Sequence, residues 1–193
     1  ITISLALSAI YINLLNCALI LLAILSYTVY YTLFLKKSSP FGTVLGGIPG
    51  ALPVIIGYSS IQPEVSMGYM DIIVLFLFMM VWQPPHFWAL AQHLRDDYKK
   101  GGFPTMPIVY GQEFTNYLIM IYSLALLPIS LYFWIVGICS NFYGIMAIIL
   151  GLSFLYLVFL SFKEKKHYKS VFLFSILYML LINIFISVDI IFL

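Results

Sequence analysis

The chain has 193 residues, of which 63% are hydrophobic and 8% charged, and its mean hydropathy is +1.07. A soluble domain carries about 25% charge, so the composition excludes a soluble enzyme or a nucleic-acid-binding module and indicates a polytopic membrane protein. The formal net charge of +2 says less than the places where the charges sit.

Seven apolar segments follow one another, at about 1–14, 17–35, 43–60, 69–95, 112–138, 142–162 and 169–192. The first is short for a span of ~20 residues. The chain opens with Ile1 inside an apolar run, so a fragment or a processed chain is expected. The second segment carries Tyr27, Tyr30, Tyr31 and Thr32 just before Lys36 and Lys37, which reads as an interfacial tyrosine belt with snorkelling lysines. In the third, Gly46 and Gly50 are four apart, as are Gly47 and Ala51. That spacing suits either a close helix–helix contact or a helix lining a cavity, and Pro49 and Pro53 are expected to kink it.

The breaks between segments sort the charges. Lys36 and Lys37 lie in the second break, Arg95, Lys99 and Lys100 in the fourth, and Lys163, Lys165, Lys166 and Lys169 in the sixth. With seven spans the even-numbered breaks share one side, so all nine basic residues fall on it. The positive-inside rule makes that side cytoplasmic, or the mitochondrial matrix. The breaks near Asn16, Gln62 and Asn141 are then external. Cys17 and Cys139 fit no metal-site spacing and read as isolated thiols. His167 reads as solvated and Asp189 as structural.

The fourth segment and the break after it stand apart from the rest of the chain. Trp82–Gly111 holds two of the three histidines, two of the seven acids, three of the nine basic residues and four of the nine prolines. Ionisable groups beside membrane-spanning sequence are a functional-site hypothesis by default. At about 100° per residue, a helix through this stretch places Trp82, His86, His93 and Asp97 on one stripe, with Asp96 beside it. His86 would lie roughly 16 Å deeper along the axis than Asp97. Pro84 and Pro85 remove two backbone donors and should kink the helix just before His86. Beyond Asp97, Gly101 and Gly102 give a loop able to fold over whatever binds at the helix end.

Carboxylates at a membrane face suit Mg²⁺, which keeps several waters and takes one or two carboxylates plus substrate phosphates. Lysines would add point charge for a diphosphate. Asp96, Asp97, Lys99, Lys100, Lys36 and Lys37 share one membrane side, and a lipid diphosphate would fit there with its tail among the helices. A paired aspartate alone is a weak signal and also describes an ordinary charged loop. The His–Asp stripe, the proline pair and the glycine pair together favour the site.

Two blocks, YTLFLKKSSPFGTVLGGIPGALPVIIGY at 31–58 and WQPPHFWALAQHLRDDYKKGGFPTMPIVYG at 82–111, resemble the protohaem IX farnesyltransferases of the UbiA-type intramembrane prenyltransferase superfamily. The blocks cover under a third of the chain. The resemblance implies an all-α bundle of nine transmembrane helices, of which the seven here would be the third to the ninth. Residues 1–193 would form a single transmembrane domain lacking its first two helices. The implied reaction joins farnesyl diphosphate to a vinyl group of haem b, giving haem O, with Mg²⁺ as the metal.

On that resemblance and the stripe geometry together, Asp97 with Asp96 binds Mg²⁺ and diphosphate, and Lys36, Lys37 and Lys99 neutralise the leaving group. Tyr27, Tyr31 or Trp88 could stabilise an allylic cation by cation–π contact. His86 contacts haem as iron ligand or propionate partner, and Arg95 joins the substrate-binding set. The family's first Asp-rich motif, of the N-x-x-x-D-x-x-x-D kind, should precede the first helix seen here. Asp71, Glu64 and Asp189 cannot replace it, because they fall on the opposite side. The implied setting is a bacterial inner membrane, with the mitochondrial inner membrane as the other setting. Haem A synthase or oxidase assembly factors are implied partners. Other readings are a UbiA-type enzyme acting on an aromatic acid, and a non-enzymatic transporter or haem scaffold.

Overall fold

The computed structural model describes residues 1–61 and 68–192. The stretch 62–67, which holds Gln62 and Glu64, lies outside the described residues. Every regular element among the described residues is helical. Six helical stretches are long and apolar enough to cross a membrane: Leu14–Ser38, Gly42–Ser60, Tyr69–His93, Gln112–Ile135, Asn141–Glu164 and Tyr168–Phe192. A shorter apolar helix, Thr2–Tyr11, precedes them. These are the seven segments of the hydropathy pattern, and the chain is a polytopic, all-α integral membrane protein. It divides into two compact units, Ile1–Met80 and Val81–Leu193.

In the first unit, α1 (Thr2–Tyr11) and α2 (Leu14–Leu25) meet at a turn where Asn13 caps α2, its side chain accepting from the Asn16 N–H at 2.6 Å. Asn16 is fully buried, at 0% exposure. Its Oδ1 accepts from Ser8 Oγ at 2.8 Å, and its Nδ2 donates to the Ile56 carbonyl at 2.8 Å and to Ser60 Oγ at 2.7 Å. One amide thus ties α1 and α2 to α5 (Gly47–Ser60). Ser59 and Ser60 also donate to the Ile56 carbonyl, so that oxygen keeps partners without Asn16, whereas Ser8 would be orphaned. Asn16→Ala is therefore expected to cost about 1–3 kcal/mol, the penalty for one buried unsatisfied polar group. A thermal melt in detergent checks it.

The second span departs from a plain α-helix. Ser26–Leu35 is a π-helix, with Thr32 Oγ1 donating to the Tyr27 carbonyl five residues back at 2.9 Å. It runs into the short α3 (Lys36–Ser38). Beyond lie α4 (Gly42–Leu45) and α5. The glycine spacing serves close packing here: a Cβ on Gly46 would sit 2.5 Å from the Tyr31 ring. Ala51 is wholly buried. Pro53 lies inside α5, which stays helical through it.

The second unit holds the end of α6 (Tyr69–His93), then α7 (Arg95–Lys100), α8 (Met106–Val109), α9 (Gln112–Ile135), α10 (Asn141–Glu164) and α11 (Tyr168–Phe192). Gly144 receives Trp134 and Gly151 receives Leu127, so a side chain at either glycine would displace its neighbour. Asp189, read from sequence as structural, is buried near the end of α11. It accepts from the Ser140 hydroxyl at 2.6 Å and from the Ser140 N–H. The carboxylate thus sits at the N-terminus of α10, where negative charge is stabilised. Burial, aided by the Asp189 carboxylate, pushes the neighbouring Cys139 thiol up to about 11. Both cysteines are free thiols. His167, read as solvated, is exposed and pairs with Glu164 at 3.0 Å.

The charge pattern makes a topological prediction. Cysteines placed at Lys100 and Lys166 in an otherwise cysteine-free protein should resist an impermeant maleimide added from outside, and one at Tyr11 should react. Labelling of position 100 with protection of position 11 would overturn the orientation.

Candidate functional site

The stripe running from Trp82 to Asp97 does not survive as one helix face. α6 stays helical through Pro84 and Pro85 and ends at a break at Leu94, where φ is −103° and ψ is 27°. Arg95–Lys100 forms a separate short helix with Asp96 and Asp97 both in its first turn. Both carboxylates therefore sit in the first turn of α7, and helix phase carried on from α6 no longer ranks Asp97 above Asp96. The physical cause is the loss of helical dihedrals at a single residue, which resets the phase of everything after it.

Asp96 and Asp97 line a polar pocket of about 500 Å³ together with Gln92, His93, Leu94, Arg95 and Lys100. Both are exposed. Among the described residues neither makes an ion pair; the pairs present are Lys165–Glu113 and His167–Glu164. Two carboxylates without partners can take a cation. Among the described residues no three His, Cys, Asp or Glu side chains are grouped so that they could hold one metal ion between them. The donor set thus fits a hard cation with two protein carboxylates and the balance from water or phosphate, and not a closed structural site. Lys99 and Arg95 are exposed on the same short helix.

The glycine loop closes tightly. The Phe103 N–H donates to the Tyr98 carbonyl at 3.1 Å, and the two rings meet edge to face at 6.3 Å. A Cβ on Gly101 would lie 3.1 Å from the Phe103 ring, and Gly102 is left-handed at φ +69°. Met106 and Pro107 then bury themselves at the start of α8.

Below the pocket, Gln92 Nε2 donates to the Gln112 carbonyl and to Asn116 Oδ1, both at 2.9 Å. Tyr168 OH accepts from Gln112 Nε2 at 2.8 Å and from Asn116 Nδ2 at 3.0 Å. This network joins α6, α9 and α11 beside the pocket. The sequence reading left Asn116 unassigned and missed Gln92. Their signal was available: amides at depth in apolar helices need partners, and so point at one another.

His86 is 7% exposed and enclosed by rings. Trp82 stacks on it at 4.6 Å and 22°, Phe172 at 4.6 Å and 27°, and Phe87 meets it edge-on at 4.9 Å. Its Nδ1 lies 2.7 Å from Ser175 Oγ. Ser175 Oγ donates its one hydrogen to the Phe172 carbonyl at 2.6 Å, so it accepts from His86, and Nδ1 carries the proton. Nε2 is then the nitrogen left with a lone pair. Trp82 Nε1 donates to the Ser175 carbonyl at 2.7 Å. The two residues, one turn apart on α6, thus grip the same residue of α11. His86 does not repair the ladder opened by the prolines.

Trp88 is 1% exposed and meets Tyr122 edge-on at 5.2 Å. In this conformation its ring is enclosed by protein. Tyr27 and Tyr31, in the first unit, lie 5.6 Å apart on the π-helix, with Tyr27 exposed. Lys36 and Lys37 are exposed where that helix ends.

Together these features define a polytopic, all-α membrane protein with a carboxylate-lined polar pocket beside an apolar helix bundle. The chain belongs to the UbiA prenyltransferase family, whose model matches residues 1–184. It is 45% identical over 177 residues to "Protoheme IX farnesyltransferase" of Geotalea uraniireducens, covering 92% of this chain and 67% of that protein. It is 39% identical to the protein of the same name from Aquifex aeolicus, over 91% of this chain and 60% of that one. To that of Rickettsia bellii it is 41% identical, over 90% and 58%. The chain thus spans about two thirds or less of the length of these relatives. No solved structure matches it.

Proposed function

We propose that the protein transfers the farnesyl group of farnesyl diphosphate to a vinyl group of haem b, with diphosphate leaving and water adding to the cation this creates on the haem side chain, giving haem O for haem–copper oxidases. The observation that carries this reading is the pocket around Asp96 and Asp97: two carboxylates without ion-pair partners in a chain that is almost all hydrocarbon. The curated relatives, which bear the name of that activity, support the choice of substrates.

In this reading Asp96 and Asp97 hold Mg²⁺. When bound, the cation offsets charge on the diphosphate as the carbon–oxygen bond breaks and the oxygen keeps the electron pair. Lys99 and Arg95 on α7 add countercharge, a role that Lys36 and Lys37 share. Tyr27 and Tyr31 offer exposed or part-exposed ring faces to the allylic cation. The enclosed Trp88 can do so only after a rearrangement. His86 is the haem contact. Since its Nδ1 proton is committed to Ser175, the neutral ring presents a lone pair and not a donor. That favours an iron ligand over a propionate partner. A bacterial inner membrane is the proposed setting, with haem A synthase or oxidase assembly factors as partners.

The test is direct. The purified complete protein, given haem b, farnesyl diphosphate and Mg²⁺, should form haem O, detected by mass spectrometry. Prenylation of an aromatic acid with no change in haem would replace this reading with the quinone-type one.

A further inference from the structure

The turn joining α10 to α11 gathers Lys163, Lys165, Lys166 and Lys169, and all four are exposed. Two carboxylates are used to hold this turn in shape. Glu113, at the start of α9, pairs with Lys165 at 2.7 Å, and Glu164 pairs with His167 at 3.0 Å. Lys165 and His167 are both left-handed, at φ 53° and 65°, a conformation that side chains disfavour and that surrounding contacts must hold. The next residue, Tyr168, is buried, and its OH accepts from Gln112 and Asn116. The turn is thus fixed from both sides. Lys163, Lys166 and Lys169 make no ion pair among the described residues. Three like charges held together without a counter-ion repel one another, and an anion offsets that repulsion.

The surroundings say which anion. The turn emerges directly from two membrane-spanning helices, Asn141–Glu164 and Tyr168–Phe192, so its lysines stand where the hydrocarbon ends and phospholipid headgroups begin. Phe114 and Tyr117 are exposed on the first turns of α9. Tyr117 meets Phe162 edge to face at 5.0 Å, one residue before Lys163. Exposed aromatic rings at the end of a span belong to the headgroup level. A soluble phosphate would find the charge and leave this aromatic rim unused. We propose that the α10–α11 turn is a binding surface for anionic phospholipids: the ammonium groups of Lys163, Lys166 and Lys169 hold the headgroup phosphates, with acyl chains on the exposed Tyr117 side. The surface is independent of the acidic pocket and of the reaction proposed for it.

The test uses the complete protein, otherwise cysteine-free, with a fluorophore on Ser170→Cys, in nanodiscs of phosphatidylcholine. Ser170 is exposed beside Lys169. Nitroxide-labelled phosphatidylglycerol should quench it at a concentration about fivefold or more below that needed with nitroxide-labelled phosphatidylcholine, the scale of one lysine at an anionic surface. Replacing Lys163, Lys166 and Lys169 together by Gln should bring the two lipids within about twofold. Replacing them together by Arg should keep the preference, because the charge stays. If the parent is quenched equally by the two lipids, the turn faces an acidic protein surface instead and the proposal fails. If the Gln variant keeps the preference, other basic residues hold the lipid and the proposal fails. Loss of the preference in the Arg variant as well would trace it to the shape of the turn and overturn its assignment to the three charges.

Discussion

Asp97→Asn in the complete protein should lower prenyl transfer by about a hundredfold or more, on the order of 3 kcal/mol of transition-state stabilisation. The change keeps shape and removes one of the two negative charges in the pocket wall. Stability should stay within about 0.5 kcal/mol, the range for exposed positions without committed partners, because Asp97 makes no ion pair among the described residues. The break at Leu94 changes what is expected of its neighbour. On a continuous helix Asp96 would sit off the stripe and matter less. On α7 both acids occupy the first turn and line the pocket, so Asp96→Asn should cost a comparable factor. Turnover measured against Mg²⁺ concentration, with a melt of each variant, decides it. Near-normal turnover of Asp97→Asn at limiting Mg²⁺ would remove Asp97 from the metal site.

What the sequence disclosed and what it hid have separate physical causes. The apolar helices were legible because hydrocarbon thickness acts on each segment independently. The acidic pair was legible because carboxylates are so rare in this chain. The break at Leu94 was not. Leucine is a good helix former, and nothing local announces that its dihedrals leave the helical range. The π-helix at Ser26–Leu35 was equally hidden, since its apolar pattern differs little from that of an α-helix over ten residues. The Asn16 node and the Gln92 network join residues more than twenty positions apart. Such pairings are settled by tertiary packing, and a single sequence shows only that each amide must find something.

His86→Ala should destabilise the protein strongly, and for that reason cannot by itself reveal a haem contact. It removes a ring stacked between Trp82 and Phe172, a loss of about 3 kcal/mol or more on the scale of buried aromatic-to-alanine changes. Both substrates would then suffer together. His86→Phe separates the roles. A phenyl ring can keep the two stacked contacts, and the lost hydrogen bond leaves Ser175 still donating to the Phe172 carbonyl, so no hydroxyl hydrogen is orphaned. The expected cost is about 1 kcal/mol, that of one hydrogen bond. What Phe cannot supply is the Nε2 lone pair. If His86 ligates haem iron, His86→Phe should lose or shift the haem absorbance band while farnesyl diphosphate affinity stays within about twofold, a difference under 0.5 kcal/mol. If the variant instead keeps the parent's haem spectrum, His86 is a packing residue that ties α6 to α11, and the haem must be held elsewhere.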